Sequence, residues 1–273
     1  MAELFQRLLL ATEHTEFDAG AERVALAMAQ RCQLPLAVVL PLVSNPEYEA
    51  LAPQIAASAE RDAASKVVQL RSHAHTAGVV MDLCVRRGEE PYLEIVAQAR
   101  EKASDLIIIR RRGKRGFLAN LLVGEMVSKV VAHAPCHVLI VPKEARLWRH
   151  CVVAAAEPSA QGRQVVSTAV AVAAQCALPL HLVSVIPAEG MRPQADAFVT
   201  EMLTQAQLGG VAAQGEVRIG KPFTEILAAA THRGADLIVM GSRGDKRISR
   251  ALVGGVAQKV MGLFEHPVLV LHF

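Results

Sequence analysis

The sequence predicts an α/β protein built from two tandem, doubly wound, mainly parallel five-stranded sheets. Three observations predict it. Short apolar runs alternate with helix-period segments, the runs are apolar on both faces, and the whole alternation occurs twice. With 273 residues the chain suits two compact units of ordinary domain size, read here as 1–145 and 146–273 with a join between Pro142 and Arg149.

The repeat is domain-sized rather than solenoid-sized. Arg31-Cys-Gln-Leu-Pro-Leu36 returns as Gln175-Cys-Ala-Leu-Pro-Leu180, an offset of 144, and LLLATEHT (Leu8 to Thr15) meets VVAAAEPS (Val152 to Ser159) at the same offset. Asp105-Leu-Ile-Ile-Ile109 meets Asp236-Leu-Ile-Val-Met240 at 131, and LLVG (Leu121 to Gly124) meets ALVG (Ala251 to Gly254) at 130. Order is kept while spacing shrinks, so the second copy has lost residues in between.

In the first copy, Leu8 to Ala11 reads as a strand. Asp18 caps a helix that carries Val24, Ala25, Met28 and Cys32 on one face. Leu36 to Leu40 is strand-like again, and Val79 to Val85, Leu106 to Ile109 and Val138 to Val141 are three further strand candidates. Helical patterns run over 47–76, 91–102 and 123–133. The second copy places strands near 151–155, 180–186, 215–219, 237–240 and 268–271. Pro91 and Pro222 each open a helix, because the N–H that proline lacks has no intrahelical partner at that position.

Composition narrows the function classes. Although 52% of residues are hydrophobic, many are alanine, and no run of about 18 apolar residues offers a membrane span. The start MAELFQRLLLATEH lacks a signal peptide's basic opening, long apolar stretch and cleavage site, so a cytoplasmic location is expected. Five cysteines, Cys32, Cys84, Cys136, Cys151 and Cys176, are scattered without CxxC spacing, which points to reduced thiols rather than disulfides or zinc. A net charge of +3 argues against extended nucleic-acid binding.

In an open doubly wound sheet, ligands bind beyond the carboxyl ends of the strands, and anions favour the exposed amides of a helix start. The corresponding loop of copy two is Gly241-Ser-Arg-Gly244, nine further residues, then Gly254-Gly255. Glycines at 241, 244 and 254 let main-chain amides approach phosphate oxygens without an intervening side chain. Service in a tight strand-to-helix turn is the other reading of the same glycines.

The pattern G-x-x-G, nine residues, G, together with DLIVMGSRG, resembles the nucleotide loop of the universal stress protein family. HAPCHVLIVPK (His133 to Lys143) and LFEHPVLVLHF (Leu263 to Phe273) resemble that family's closing helix end and last strand, and the opening strands resemble its first. The resemblance covers nearly the whole chain twice and implies a tandem universal stress protein with adenine-nucleotide-binding α/β folds. It implies ATP, with Mg²⁺, as ligand, and makes the candidate set Gly241, Arg243, Gly244, Gly254 and Gly255 with Glu157 near the ribose or adenine and Val185 bordering the adenine. Other small anionic ligands suit the same loop. The resemblance also implies that Val138 to Val141 and Val268 to Leu271 pair across an intramolecular pseudo-dimer, and allows a further dimer of tandem chains.

Departures from the family pattern locate the ligand. Glu13 and Glu157 stand where its ATP-binding members place aspartate. Gly255 stands where a hydroxyl residue is expected, removing a phosphate donor worth about 1 kcal/mol. In copy one, Arg110 replaces the first glycine, Gly113 keeps the second, ten residues separate it from Gly124, and Glu125 follows. A carboxylate there suits the helix dipole but opposes phosphate, so copy two is the expected nucleotide site. A nucleotide-independent interaction or small-ligand role is the alternative. At most slow ATP hydrolysis is expected, since no general base has a spacing that demands it.

Arg110, Arg111, Arg112, Lys114 and Arg115 put five cations into six positions. They read either as an anion grip or as a solvated, mutually repelling loop, and the lack of interleaved aromatics counts against nucleic acid. His73, His75, His133, Cys136 and His137 form no convincing set of four metal ligands. Neither Ser159 nor Ser242 sits in a G-x-S-x-G elbow, and no G-x-x-x-x-G-K-[ST] loop occurs.

Overall fold

The computed structural model describes residues 4–13, 15–111, 124–242 and 253–273. It divides into two compact units, the first ending at Leu147 and the second running from Trp148.

The first unit contains β1 (Leu8–Ala11), a 3-10 turn (Glu16–Asp18), α1 (Ala19–Cys32), β2 (Leu36–Val43), α2 (Pro46–Leu51), α3 (Pro53–Thr76), β3 (Met81–Gly88), α4 (Pro91–Glu101), β4 (Leu106–Arg110), α5 (Glu125–His133) and β5 (His137–Val141). Its strands lie in the order β3-β2-β1-β4-β5, with parallel pairing throughout. The second unit contains β6 (Val152–Ala155), α6 (Ala160–Cys176), β7 (Leu180–Ile186), α7 (Arg192–Leu208), β8 (Ala213–Ile219), α8 (Pro222–His232), β9 (Leu237–Gly241), α9 (Gly255–Leu263) and β10 (Val268–Leu271). Its order, β8-β7-β6-β9-β10, is again parallel. Leu8 to Leu10 and Leu106 to Ile109 are buried without alternation, as strands covered on both faces must be. Among the described residues, no helix is long and apolar enough to cross a membrane.

The repeated Cys-x-Leu-Pro is a helix stop. Gln33 and Ala177 adopt left-handed φ values of 53° and 54°, and the next amides, Leu34 and Leu178, donate to Ala29 and Ala173 carbonyls at 2.9 Å. That six-to-one bond closes the last turn, and proline after it prevents continuation.

Two expectations need correction. The single helical pattern over 47–76 is two helices, α2 and α3, broken at Ala52 (φ −140°, ψ 61°). Pro53 explains the break, because its ring pushes the preceding residue out of helical space. Asp18 occupies the position before α1, yet its carboxylate does not cap that helix. It accepts the Thr15 N–H at 3.0 Å and the Thr15 hydroxyl at 2.7 Å, closing the preceding 3-10 turn. The aspartate heading each copy of the repeated apolar run is a clamp whose role sequence reading missed. Asp105 accepts the amides of Gln6 and Arg7 at 2.8 and 3.1 Å, and Asp236 accepts those of His150 and Cys151 at 3.0 and 3.2 Å. Each carboxylate thereby fixes the entry of the first strand beside the start of the fourth.

Candidate functional site

β6 is where the second sheet reverses its winding. It pairs with β7 on one side and β9 on the other, so the loops leaving β6 and β9 diverge and open a crevice at their carboxyl ends. Ala155, the last residue of β6, pairs with Met240. Gly241 therefore extends β9 one residue past β6, in register with Leu271. Val183 is level with Ala155, so Val185 lies on the overhang of β7, half-buried beside the same crevice.

The turn that presents Glu157 is built by two small residues. The Ser159 hydroxyl accepts the Gly162 N–H at 2.9 Å, capping α6. A Cβ on Gly162 would lie 1.9 Å from the Glu157 carbonyl oxygen, so only glycine lets α6 start this tightly under the chain. Glu157 itself is exposed.

The far side of the crevice is the start of α9. Ser242 donates to the Leu271 carbonyl at 3.0 Å, prolonging the ladder, and the chain returns at Gly254, whose N–H donates to the Ser242 carbonyl at 3.0 Å. That bond corrects the expectation for Gly254, whose amide is spent on closing the loop. Its carbonyl accepts the Gln258 N–H at 3.0 Å, the first bond of the helix. The amides of Gly255, Val256 and Ala257 are then the ones outside the intrahelical ladder. Among the described residues, a Cβ on Gly255 would meet nothing within 4 Å, which leaves room to approach them. The crevice thus gathers Glu157, Val185, Gly241 and Gly255 from four segments. Arg243 and Gly244 lie outside the described residues.

The same place in the first unit is differently occupied. Arg110 ends β4 in register with Val141, as Gly241 ends β9. Its guanidinium crosses to the segment following β1, where Nη1 donates to the Thr15 hydroxyl at 2.6 Å and Nη2 to the Glu13 carboxylate. Nε faces Asp18 Oδ1 at 3.3 Å, close enough to attract but not aligned to hydrogen-bond. The Arg110 and Asp18 side chains are only 3% and 1% exposed. Burial pushes the Asp18 carboxyl above its usual range, opposed by the charge of Arg110 and the bonds from Thr15. Of the two readings of the basic cluster, a solvated loop fails for Arg110. Arg111 is half-buried, its N–H donating to the Val141 carbonyl at 2.7 Å, while Arg112, Gly113, Lys114 and Arg115 lie outside the described residues. Sequence offered one signal for this network: Glu13 and Thr15 align with Glu157 and Ser159, whereas Arg110 and Asp18 align with Gly241 and Gly162.

The metal-capable side chains have structural neighbours. His133 Nδ1 lies 2.9 Å from the Lys129 carbonyl, and its ring tilts against Tyr92. The Cys136 thiol is pushed up to about 12 by burial, and His137 stands edge-on to Phe5. Among the described residues, no group of three or more His, Cys, Asp or Glu side chains is placed to hold an ion.

The model of the Universal stress protein family matches the chain twice, over residues 4–142 and 148–272. A universal stress protein of Synechocystis is 25% identical over 165 residues, 60% of this chain. One of Methanocaldococcus jannaschii is 33% identical over 94 residues, 32% of this chain. The matches span 57% and 55% of those relatives' own lengths. The crystal structure of a universal stress protein from Archaeoglobus fulgidus is similar with a TM-score of 0.80 at 19% identity, covering 98% of each chain, a likeness of fold.

Proposed function

We propose, from the premise that this chain belongs to the universal stress protein family, which matches it over both copies, that its C-terminal copy binds an adenine nucleotide as the signal-carrying ligand. One observation carries this reading: the crevice beyond β6 is bordered by Gly241 at the end of β9 and ends on α9, whose first turn opens with Gly255 and, among the described residues, has clear space there. Such a helix start draws phosphate by its amides and its dipole together. ATP is the proposed ligand, its Mg²⁺ arriving on the triphosphate. The phosphates face Gly241, Arg243, Gly244 and the amides from Gly255 onward, with Gly254 holding the loop shut behind them. Glu157 lies toward the ribose and Val185 beside the base. Glutamate keeps the negative charge that ribose hydroxyls hydrogen-bond to, and its extra methylene fits a residue presented from the loop beyond β6.

Calorimetric titration of the full chain with ATP and Mg²⁺ tests the reading against the variant Gly255→Glu. The glutamate side chain enters open space and suits the helix dipole, so the variant folds, yet it sets a carboxylate against the phosphates. Affinity is expected to fall by about tenfold, the roughly 1–2 kcal/mol that a carboxylate set against phosphate at an exposed helix start costs. No saturable heat with the native chain would leave a nucleotide-independent interaction protein as the reading.

A further inference from the structure

We propose that Arg110 is the residue that decides which copy takes ligand: its guanidinium closes the N-terminal crevice from within, so the chain binds one nucleotide rather than two. This rests on the nucleotide reading for the C-terminal copy and extends it to the site's number and selectivity.

Location is the first argument. In the first sheet β1 is the strand where winding reverses, flanked by β2 and β4, so the crevice lies between the segments leaving β1 and β4. Arg110 starts on one bank and its three guanidinium nitrogens end on the other, against Glu13, Thr15 and Asp18. No water layer separates them, since the Arg110 side chain is 3% exposed. A ligand entering this crevice has to displace the guanidinium first.

Charge is the second argument. Displacing Arg110 leaves two carboxylates, Glu13 and Asp18, facing the incoming phosphates. Asp18 is the more severe of the two, because it is fully buried and water cannot screen it. Glu125 opens α5 at the position where a third phosphate contact would fall. The guanidinium therefore satisfies these two carboxylates as a bound cation would, and its charge is spent on them rather than offered to an anionic ligand.

Correspondence is the third. The second copy differs at just the positions that make the closure: glycine at 241 for arginine at 110, and glycine at 162 for aspartate at 18. Gly162 cannot accept the change, because any Cβ there meets the Glu157 carbonyl. The two positions belong to one device, present in the first copy and absent from the second.

The test combines stoichiometry with a ligand-independent readout. Calorimetry with ATP and Mg²⁺ is expected to give one site per native chain and, in Gly241→Arg, an affinity at least a hundredfold lower, because the same closure has been built into the second copy. Two equivalent sites in the native chain, or native affinity in Gly241→Arg, would overturn the proposal. Hydrogen exchange judges the closure separately. Arg110→Lys keeps a cation but cannot reach Glu13, Thr15 and Asp18 together, so amides of residues 15–20 should exchange at least fivefold faster while those of residues 159–164 stay unchanged. If the native chain binds no ATP and exchange still rises as described, the nucleotide reading fails and the closure stands. Unchanged exchange in Arg110→Lys refutes the closure whatever the calorimetry gives.

Discussion

The two copies differ most instructively beneath their second layer of helices. Equivalent strand pairing sets Leu36 with Met81 and Leu180 with Ala213, which aligns Lys66 of α3 with Phe198 of α7. At the first copy's offset, Thr12 and Glu22 align with Ala156 and Val166. In the second copy Phe198 and Val166 are buried core, with the Arg163 guanidinium 5.7 Å from the ring centre. In the first, Lys66 bonds Glu22 at 2.8 Å, and Glu22 accepts the Thr12 hydroxyl at 2.6 Å. An open groove of ≈ 730 Å³ follows there, lined by Thr15, Glu22, Arg23, Asp62, Lys66 and His73. One fold thus carries an apolar triad in one copy and a hydrogen-bonded charged triad in the other. A fold requires burial at these positions but leaves open whether hydrophobic transfer or matched charge supplies it.

Exchanging single members of the triads breaks the comparison most severely. Phe198→Lys places an ammonium in the apolar core, near the Arg163 guanidinium that already holds the Glu201 carboxylate, and is expected to cost about 4–5 kcal/mol. Urea unfolding should show the loss as a lower midpoint. Glu22→Val strands Lys66 in the opposite way and should cost about 3 kcal/mol, somewhat less because Lys66 borders the groove and reaches water. Arg110→Met belongs with this group. It leaves Asp18 buried without a cation and should cost about 3 kcal/mol, with Asp18→Asn in the same background recovering part of it. Equal stability of Arg110→Met and the native chain would mean that the guanidinium merely breaks even against its own desolvation.

Importing a whole pair sharpens the comparison. Glu22→Val with Lys66→Phe copies the second unit's chemistry into the first. Because both charges leave together, the expected change is between neutral and about 1 kcal/mol more stable. A strongly destabilised double variant would show that the groove's backbone spacing, rather than its charge, is what the first copy maintains.

Most of the architecture was legible because strands buried on both faces leave an unambiguous mark, and a duplicated chain prints that mark twice. Leu106 to Ile109 and Leu237 to Met240 declare themselves by apolar continuity, and Pro91 and Pro222 by the missing N–H. The break at Ala52 was written in Pro53, but the helical pattern on either side outweighed one residue. Asp105 and Asp236 were visible as repeated letters whose function depends on amides about 100 residues away, which periodicity does not register. Asp18 looked like a helix cap because short side-chain bonds were the only partners sequence could propose, whereas its ion pair arrives from β4. Arg110 stayed between two readings for the same reason: five cations in six positions suit an anion grip or mutual repulsion alike until the carboxylates that hold one of them are placed in space. The candidate residues Gly241 and Gly255 were legible as glycines, whereas the bond from the Gly254 amide was not, because its acceptor, the Ser242 carbonyl, lies across the loop.

The smallest expected difference concerns acid. Each copy carries one histidine on a strand, half-buried His137 and buried His181, at places that do not correspond: His137 opens β5, where the second copy has Pro267, and His181 lies in β7, where the first has Ala37. Burial lowers both ring pKa values, opposed by Asp105 at His137 and by Glu216 at His181, whose carboxylate lies 2.9 Å from Nε2. A histidine whose folded pKa is depressed binds its proton more readily when unfolded. Its contribution is complete above the ordinary imidazole value near pH 6.5 and is lost as pH falls through the window below it. Stability should therefore decline from about pH 7 toward pH 5 through both units. His181→Gln keeps a polar partner for Glu216 without a titrating ring, and should flatten that decline by about 1 kcal/mol or less while leaving the share of His137. Thermal melts at pH 7 and pH 5 read the difference. A decline unchanged in His181→Gln would place the acid sensitivity with His137 and the first copy, separating the two units by their response to protons as well as by what they hold at the ends of their strands.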